Sequence, residues 1–394
     1  MANKFIIPFN GRSHLYSEEE IKLVSELMNN AIPLTQGKYL HEFEEKFARY
    51  VGANHCFGLN NATSGLEISA QLCMFSKGDE VIIPAHTYTS SAYPFIKKGA
   101  NIVWADIDPK YGVTNASLIE RCITKKTKAI VVVHLYGYAV QMDEILELAK
   151  KYNILIIEDA AQAMGVYYRN QHVGTFGDFG IFSFHSHKNI TTLGEGGMIL
   201  CKSAVHAELI PMLRHNGHCD FSFKKENYWL PAMSNVDVIE ANGNILLPNN
   251  FCLGEIECAL GAKLLDRVDE MNLLKRKRAL KIIDSLDEYS ELAFNREESK
   301  RHNYHLLVAN LEKYDRNDFI SYISDFKGVQ CVVQYYPLYR YDFYKKLGFG
   351  EFNGKNSDKF FDTMISFPFQ YMMNEREIDY LIESIIETMN FLRK

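Results

Sequence analysis

None of the eight cysteines stands in a Cys-x-x-Cys pair, so the chain has neither the spacing of a zinc ribbon nor a disulfide framework. An excess of positive charge is also missing. Lys and Arg number 43 against 49 Asp and Glu, a net charge of −6 that leaves no broad basic face for nucleic acid. A phosphate-bearing ligand must then be held by local donors. Residues 1 to 14 contain no apolar signal core, and no later run approaches the length of a membrane span. These absences predict a soluble, cytoplasmic protein whose partners are small molecules, with no nucleic acid and no membrane. What is present, 394 residues of which 47% are hydrophobic and 23% charged, suffices for a large core and a second, smaller domain.

The most informative stretch is Phe182-Ser-Phe-His-Ser-His-Lys188-Asn-Ile-Thr-Thr-Leu-Gly-Glu-Gly-Gly-Met198. Phe182 to Phe184 reads as the end of a buried strand and Met198 to Leu200 as the strand that returns, which leaves Lys188 on a loop between them. A loop lysine is ordinarily solvated. One whose pKa is lowered by desolvation becomes a nucleophile that condenses with carbonyls, pyridoxal phosphate (PLP) included. Some thirty residues earlier, the apolar run Asn153-Ile-Leu-Ile-Ile157 predicts a strand buried on both faces, ending in Glu158-Asp159-Ala-Ala-Gln162. An acid there points into the crevice where open α/β sheets bind ligands, and PLP needs such an acid to keep its ring nitrogen protonated. Asp159 fits that role, and it also fits a helix cap. Phe57 to Asn61, then Ala62-Thr63-Ser64-Gly65, reads as strand, tight turn and helix. Its free amides suit a cofactor phosphate at Thr63 and Ser64, with ordinary capping as the alternative.

Taken together, Glu158-Asp-Ala-Ala-Gln162, Gly174-Thr-Phe-Gly-Asp178, Phe182-Ser-Phe-His185, Lys188-Asn-Ile-Thr-Thr192 and Glu195-Gly-Gly197 resemble the PLP-dependent sugar aminotransferases of the DegT/DnrJ/EryC1/StrS family. The similarity runs from Leu34-Thr-Gln-Gly37 to Ser366-Phe-Pro368. It implies an α/β, fold-type I aminotransferase with a mostly parallel central sheet and a smaller C-terminal α/β domain, working as a homodimer with shared active sites. We place the large domain at residues 1–265 and the small one at 266–394. The resemblance makes Lys188 the residue that carries PLP and Asp159 the partner of its ring nitrogen. It adds Gln162 at the ring oxygen, Tyr88 stacked on the ring, Ser183 at the phosphate, and Asn250 reaching the phosphate of the partner subunit. Related sugar dehydrases carry histidine in place of the Schiff-base lysine, so Lys188 favours transamination. The implied reaction takes an amine from an amino acid, L-glutamate, to a nucleotide-linked keto sugar for a surface glycan or polysaccharide. Lys-Asn-Ile-Thr-Thr followed by Glu-Gly-Gly-Met looks more like members acting at C4, with C3 and a cyclitol ketone as alternatives. A PLP-binding regulator without catalysis is opposed by the full set of Lys188, Asp159 and Gln162.

The chain departs from the family pattern at Ala62, where glycine is usual, and at Cys252, where an arginine would stand. The segment between Arg214 and Asn250 is also unusually aromatic. Phe221, Phe223, Tyr228 and Trp229 fit either a covered core or stacking on a nucleotide base. Elsewhere, Ser17-Glu-Glu-Glu20 predicts a capping-box helix start, Tyr39 to Tyr50, Asp143 to Tyr152 and Glu375 to Leu392 predict helices, and Tyr304–Val308 and Val329–Gln334 predict strands of the small domain. Lys275-Arg-Lys-Arg278 reads as the solvated face of a helix. His134 reads as a buried, hydrogen-bonded residue. His185 with His187, and His215 with His218, lack a third ligand at a recognisable spacing, so no metal is expected.

Overall fold

The computed structural model describes residues 5–221 and 234–394. At its centre the apolar runs of the sequence form β1 (His55–Leu59), β2 (Glu80–Pro84), β3 (Asn101–Ala105), β4 (Thr127–Val133), β5 (Leu155–Asp159), β6 (Phe179–Ser183) and β7 (Gly197–Cys201). They lie side by side as β1-β7-β6-β5-β4-β2-β3. From β6 to β3 every neighbour is parallel. β7 alone is reversed, antiparallel to both β6 and β1. Val81 to Ile83, Ala129 to Val132, Ile156 and Ile157 are buried, the cover that a parallel sheet needs on both faces. Because β1, β2, β4, β5 and β6 share one direction, their carboxyl ends gather along one edge.

The helices begin with α1 (Glu18–Asn30), α2 (Lys38–Val51) and α3 (Ala62–Leu72). Ser17 caps α1 as its sequence predicts, with Ser17 Oγ accepting from the Glu20 amide and Glu20 Oε2 accepting from the Ser17 amide. α3 packs across β7 and β6. α4 (Asp143–Tyr152), α5 (Val268–Ser285) and α6 (Glu375–Leu392) follow. A second sheet, β8 (Leu292–Phe294), β9 (Leu307–Leu311) and β10 (Met364–Phe367), is antiparallel with β9 in the middle. Around it a second hydrophobic core gathers Ile282, Leu307, Phe319, Phe367 and Leu381, joined by Ile7 from the N-terminal segment. α5 belongs to both cores, through Val268 and Met271 to the first and through Ala279 and Ile282 to the second. Beyond it, Leu338, Tyr344 and Phe360 return to the first core.

Two expected strands differ. The one anticipated at Tyr304–Val308 starts only at Leu307, because Tyr304 has φ +50° and the amides of Tyr304 and His305 are taken by the His302 and Asn303 side chains. Val329–Gln334 makes single bridges, Val329 with Ile7 and Val332 with Ser366, instead of a ladder.

Candidate active site

The carboxyl-end edge of the central sheet opens into a cavity of about 620 Å³. It brings together Thr63, Ser64, Tyr88, Asp159, Gln162, Ser183 and Lys188, seven of the eight cofactor-site residues that the sequence singles out. Asn250, the eighth, is exposed, outside the lining, in a backbone bridge with His215.

At one end of the cavity α3 begins. Asn61 is its N-cap, with Oδ1 accepting from the Ser64 amide (2.9 Å) and from Ser64 Oγ (3.1 Å), while Thr63 Oγ1 donates to Ser90 Oγ (3.0 Å). The amides of the first helical turn have no intrahelical acceptor and suit an anion. Close approach of β7 builds this corner: a Cβ on Gly197 would lie 2.4–2.6 Å from the backbone of Asn61 and Ala62, so only glycine fits.

β5 carries Asp159 out of the sheet at its last position. Asp159 Oδ2 accepts from Ser91 Oγ (2.7 Å) and Oδ1 from the Ala161 amide (3.2 Å), which fixes the carboxylate and leaves lone pairs for a further donor. The strand runs two residues past the end of its apolar run, and the neighbouring Glu158 is buried among backbone donors. Glu158 Oε1 accepts from the amides of Phe176 (2.6 Å) and Gly177 (2.7 Å), and Oε2 from the Gly174 amide (2.8 Å) and His134 Nε2 (2.9 Å). The Gly174–Asp178 motif is thus a loop wrapped on a buried carboxylate. His134, whose Nδ1 accepts from the Val140 amide (3.1 Å), is the hydrogen-bonded histidine its sequence suggests.

Lys188 sits in the loop that joins β6 to the reversed β7. Backbone bonds from Phe184 to Gly196 (2.8 Å) and Ser186 to Gly194 (2.9 Å) zip the base of the loop, and the Lys188 amide donates to His185 O (2.8 Å). The loop is also tied from outside. Ser13 Oγ donates to Lys188 O, the Thr191 amide to His14 Nε2 (3.1 Å), and Tyr16 Oη to Thr191 O (3.1 Å). Burial lowers the Lys188 amine from 10.5 to about 8, with the charge of Asp159 opposing the shift. An amine so placed has a far larger neutral, nucleophilic fraction near neutral pH than a solvated lysine.

Around these groups, Tyr88 is 53% exposed and tilts against Tyr335, ring centroids 5.8 Å apart. Gln162 donates to the Tyr335 hydroxyl (2.9 Å) and accepts from the Tyr136 amide (2.6 Å). The basic run on α5 departs from its reading as a solvated face: Lys275 and Arg276 are buried, and Lys275 lines the cavity beside His305. The legible sign was periodicity, since Lys275 falls on the same helical stripe as Val268, Met271, Ala279 and Ile282. Ser91, which orients Asp159, and His305 had no comparable signal. Phe221 is half-buried, whereas Phe223, Tyr228 and Trp229 lie outside the described residues. Cys252 is half-buried, its thiol directed at Arg214 O (3.8 Å). Among the described residues no group of three or more His, Cys, Asp or Glu is placed to hold a metal, and no helix is long and apolar enough to cross a membrane.

The donor set fits PLP: a helix start for the phosphate, a fixed carboxylate for the ring nitrogen, and an amine of lowered pKa for the aldehyde carbon. Comparison with known proteins agrees. The profile of the DegT/DnrJ/EryC1/StrS aminotransferase family matches residues 15–386. A UDP-4-amino-4,6-dideoxy-N-acetyl-beta-L-altrosamine transaminase of Campylobacter jejuni is 32% identical over 384 residues, 96% of each chain. A dTDP-3-amino-3,6-dideoxy-alpha-D-galactopyranose transaminase of Aneurinibacillus thermoaerophilus is 30% identical over 372 residues, 92% of this chain and 94% of its own. Among solved structures, a Streptococcus pneumoniae chain assigned as a sugar aminotransferase, in its PMP form, superimposes with a TM-score of 0.85 at 28% identity, covering 98% of this chain and all of its own.

Proposed function

The chain belongs to the DegT/DnrJ/EryC1/StrS aminotransferase family, a PLP-dependent enzyme, and from that premise we propose that it carries an amino group from L-glutamate to C4 of a nucleotide-linked keto sugar destined for a surface glycan. The observation that carries the reading is the meeting of Lys188 and Asp159 in one cavity with the open start of α3. PLP, when bound, supplies an aldehyde for the amine of the donor and a ring that draws electrons from the reacting carbon.

The chain's own residues supply the rest. The start of α3 at Thr63 and Ser64, with Ser183, binds the phosphate and fixes the register of the ring. Asp159, oriented by Ser91 and the Ala161 amide, holds the proton on the ring nitrogen. Tyr88 covers one ring face and keeps water from it, and Gln162 orients the ring oxygen. With PLP bound, Lys188 Nζ would be the group that moves the proton at the α-carbon of the donor and, in the reverse sense, at the carbon of the keto sugar that receives the amine. Asn250, exposed and outside the cavity of its own chain, fits a contact made across a homodimer.

C4 is supported by the loop residues after Lys188 and by the 4-amino-sugar relative. C3 is the second reading, supported by the 3-amino-sugar relative at nearly equal identity. The test is the visible spectrum of the PLP-loaded protein. Adding glutamate should abolish the lysine-bound band and give the shorter-wavelength amino form, and a nucleotide-linked 4-keto sugar should restore it. A band that ignores glutamate and every other amino acid would sink the reading. Restoration by a 3-keto sugar and not by a 4-keto sugar would replace C4 with C3.

A further inference from the structure

Among the described residues, the cavity is lined, apart from Lys188, by one lysine and no arginine. That lysine, Lys275, is only 2% exposed. It donates to Asn189 Oδ1 and to His305 O, both at 3.2 Å. The ammonium also stands 5.4 Å from the centroid of the Phe369 ring, and of its three N–H bonds one has no oxygen acceptor, so it is left for whatever fills the cavity. Among the described residues no carboxylate pairs with it, and burial alone lowers its pKa to about 7. A buried cation without a counter-ion is costly, and an arriving anion relieves that cost. His305 does not compete as the cation, because burial holds it neutral and the charges of Lys188 and Lys275 reinforce the effect.

Position selects the anion. Asn189, which Lys275 grips, directly follows Lys188 and is also bonded by Asn272 and His305, so Lys275 is tied to the loop that carries Lys188 and lines the same cavity. The cofactor phosphate has its own seat at the start of α3. The diphosphate of a nucleotide sugar is attached at a carbon away from the ketone and is absent from the half-reaction with the donor. The α-carboxylate of an amino acid, by contrast, is bonded to the very carbon that gives its proton to Lys188. We infer that Lys275 is the seat of the donor's α-carboxylate, and therefore a determinant of which amines can serve as donors. This inference rests on the transaminase reading above.

The experiment follows loss of the lysine-bound band in single turnovers of the PLP-loaded enzyme. It gives the dissociation constant and limiting rate for L-glutamate, for L-isoglutamine (α-carboxamide, γ-carboxylate kept) and for L-glutamine (γ-carboxamide, α-carboxylate kept). The wild type should bind L-isoglutamine at least about tenfold more weakly than L-glutamate, the value of a hydrogen bond to a charged group. In Lys275→Met and Lys275→Gln, each checked for a wild-type band and melting temperature, glutamate affinity should fall about tenfold or more. The preference over isoglutamine should then collapse, and that over glutamine should persist. Equal wild-type affinity for glutamate and isoglutamine overturns the inference without any variant. So does a variant that still discriminates against isoglutamine, or one that loses discrimination against glutamine instead. A wild type that reacts with none of the three, nor with other 2-amino acids, overturns the transaminase reading itself, and this inference with it.

Discussion

Glu158 and Asp159 are adjacent acids with opposite duties, and Glu158→Gln separates them. Each Glu158 oxygen accepts two donors, Phe176 and Gly177 on one and Gly174 and His134 on the other. A glutamine must set its NH₂ against one of these pairs, donor facing donor. A change of tautomer at His134 does not help, because its Nδ1 would then present a proton to the Val140 amide. Two bonds to a charged acceptor are lost, each worth about 1.5–3 kcal/mol, so the substitution should cost about 3–6 kcal/mol. For a chain of this length the unfolding entropy is about 0.8 kcal/mol per kelvin, and the melting temperature should fall by about 4–8 °C. The assay is a thermal melt of the PLP-loaded protein, followed in parallel by the visible band and by circular dichroism. At 10 °C the variant should keep its lysine-bound band and its response to glutamate. A melting temperature lowered by less than about 1 °C would refute the claim that Glu158 holds the Gly174 loop together.

Asp159→Asn should show the converse, a melting temperature near wild type with the glutamate half-reaction slowed by at least about a hundredfold. An unchanged rate removes Asp159 from its role. Lys188→Ala should leave circular dichroism unchanged and lose transamination entirely, measured as amino-sugar formation; wild-type turnover would dismiss Lys188. Because the neutral amine is the form that condenses, and burial lowers its pKa to about 8, the rate of PLP reloading into the apo-protein should rise with pH and level off above about 8. A rate still climbing toward pH 10 would mean an ordinary, solvated lysine. Gly197→Ala should push the start of α3 away from β7 and weaken PLP binding by about tenfold or more, read by equilibrium titration of apo-protein. Unchanged affinity would show that the corner does not seat the phosphate.

Much of this architecture is legible in one dimension because its signals are local. The β-branched runs that became β2, β4 and β5 are continuous, the capping box at Ser17 is complete within four residues, and Asp143–Tyr152 has helical periodicity from end to end. The motif around Lys188 and Asp159 is legible for the same reason. What escaped is set by partners distant in the chain. Lys275 looked solvated because three further cations follow it; its helical stripe pointed inward, but the acceptors that satisfy it there, Asn189 and His305, are distant in the chain. Val329–Gln334 has the apolar content of a strand, but the neighbours it would pair with, Ile7 and Ser366, offer only single bridges. Glu158 stands in the motif with no role that its sequence assigns, and only the fold reveals the amides that surround it.

Ser13, His14 and Tyr16 carry no chemistry of their own, yet they buckle the loop of Lys188 to the body of the protein across some 175 residues of chain. The loop that presents Lys188 is therefore held by a strap that belongs to neither strand flanking it. Trimming the protein back to the start of α1, or crowding that strap with a bulky fusion, would leave every residue of the motif in place and still misalign the amine. The segment before α1 is, in effect, a working part of the enzyme, and natural variation at Ser13, His14 and Tyr16 should be as constrained as in the motif itself.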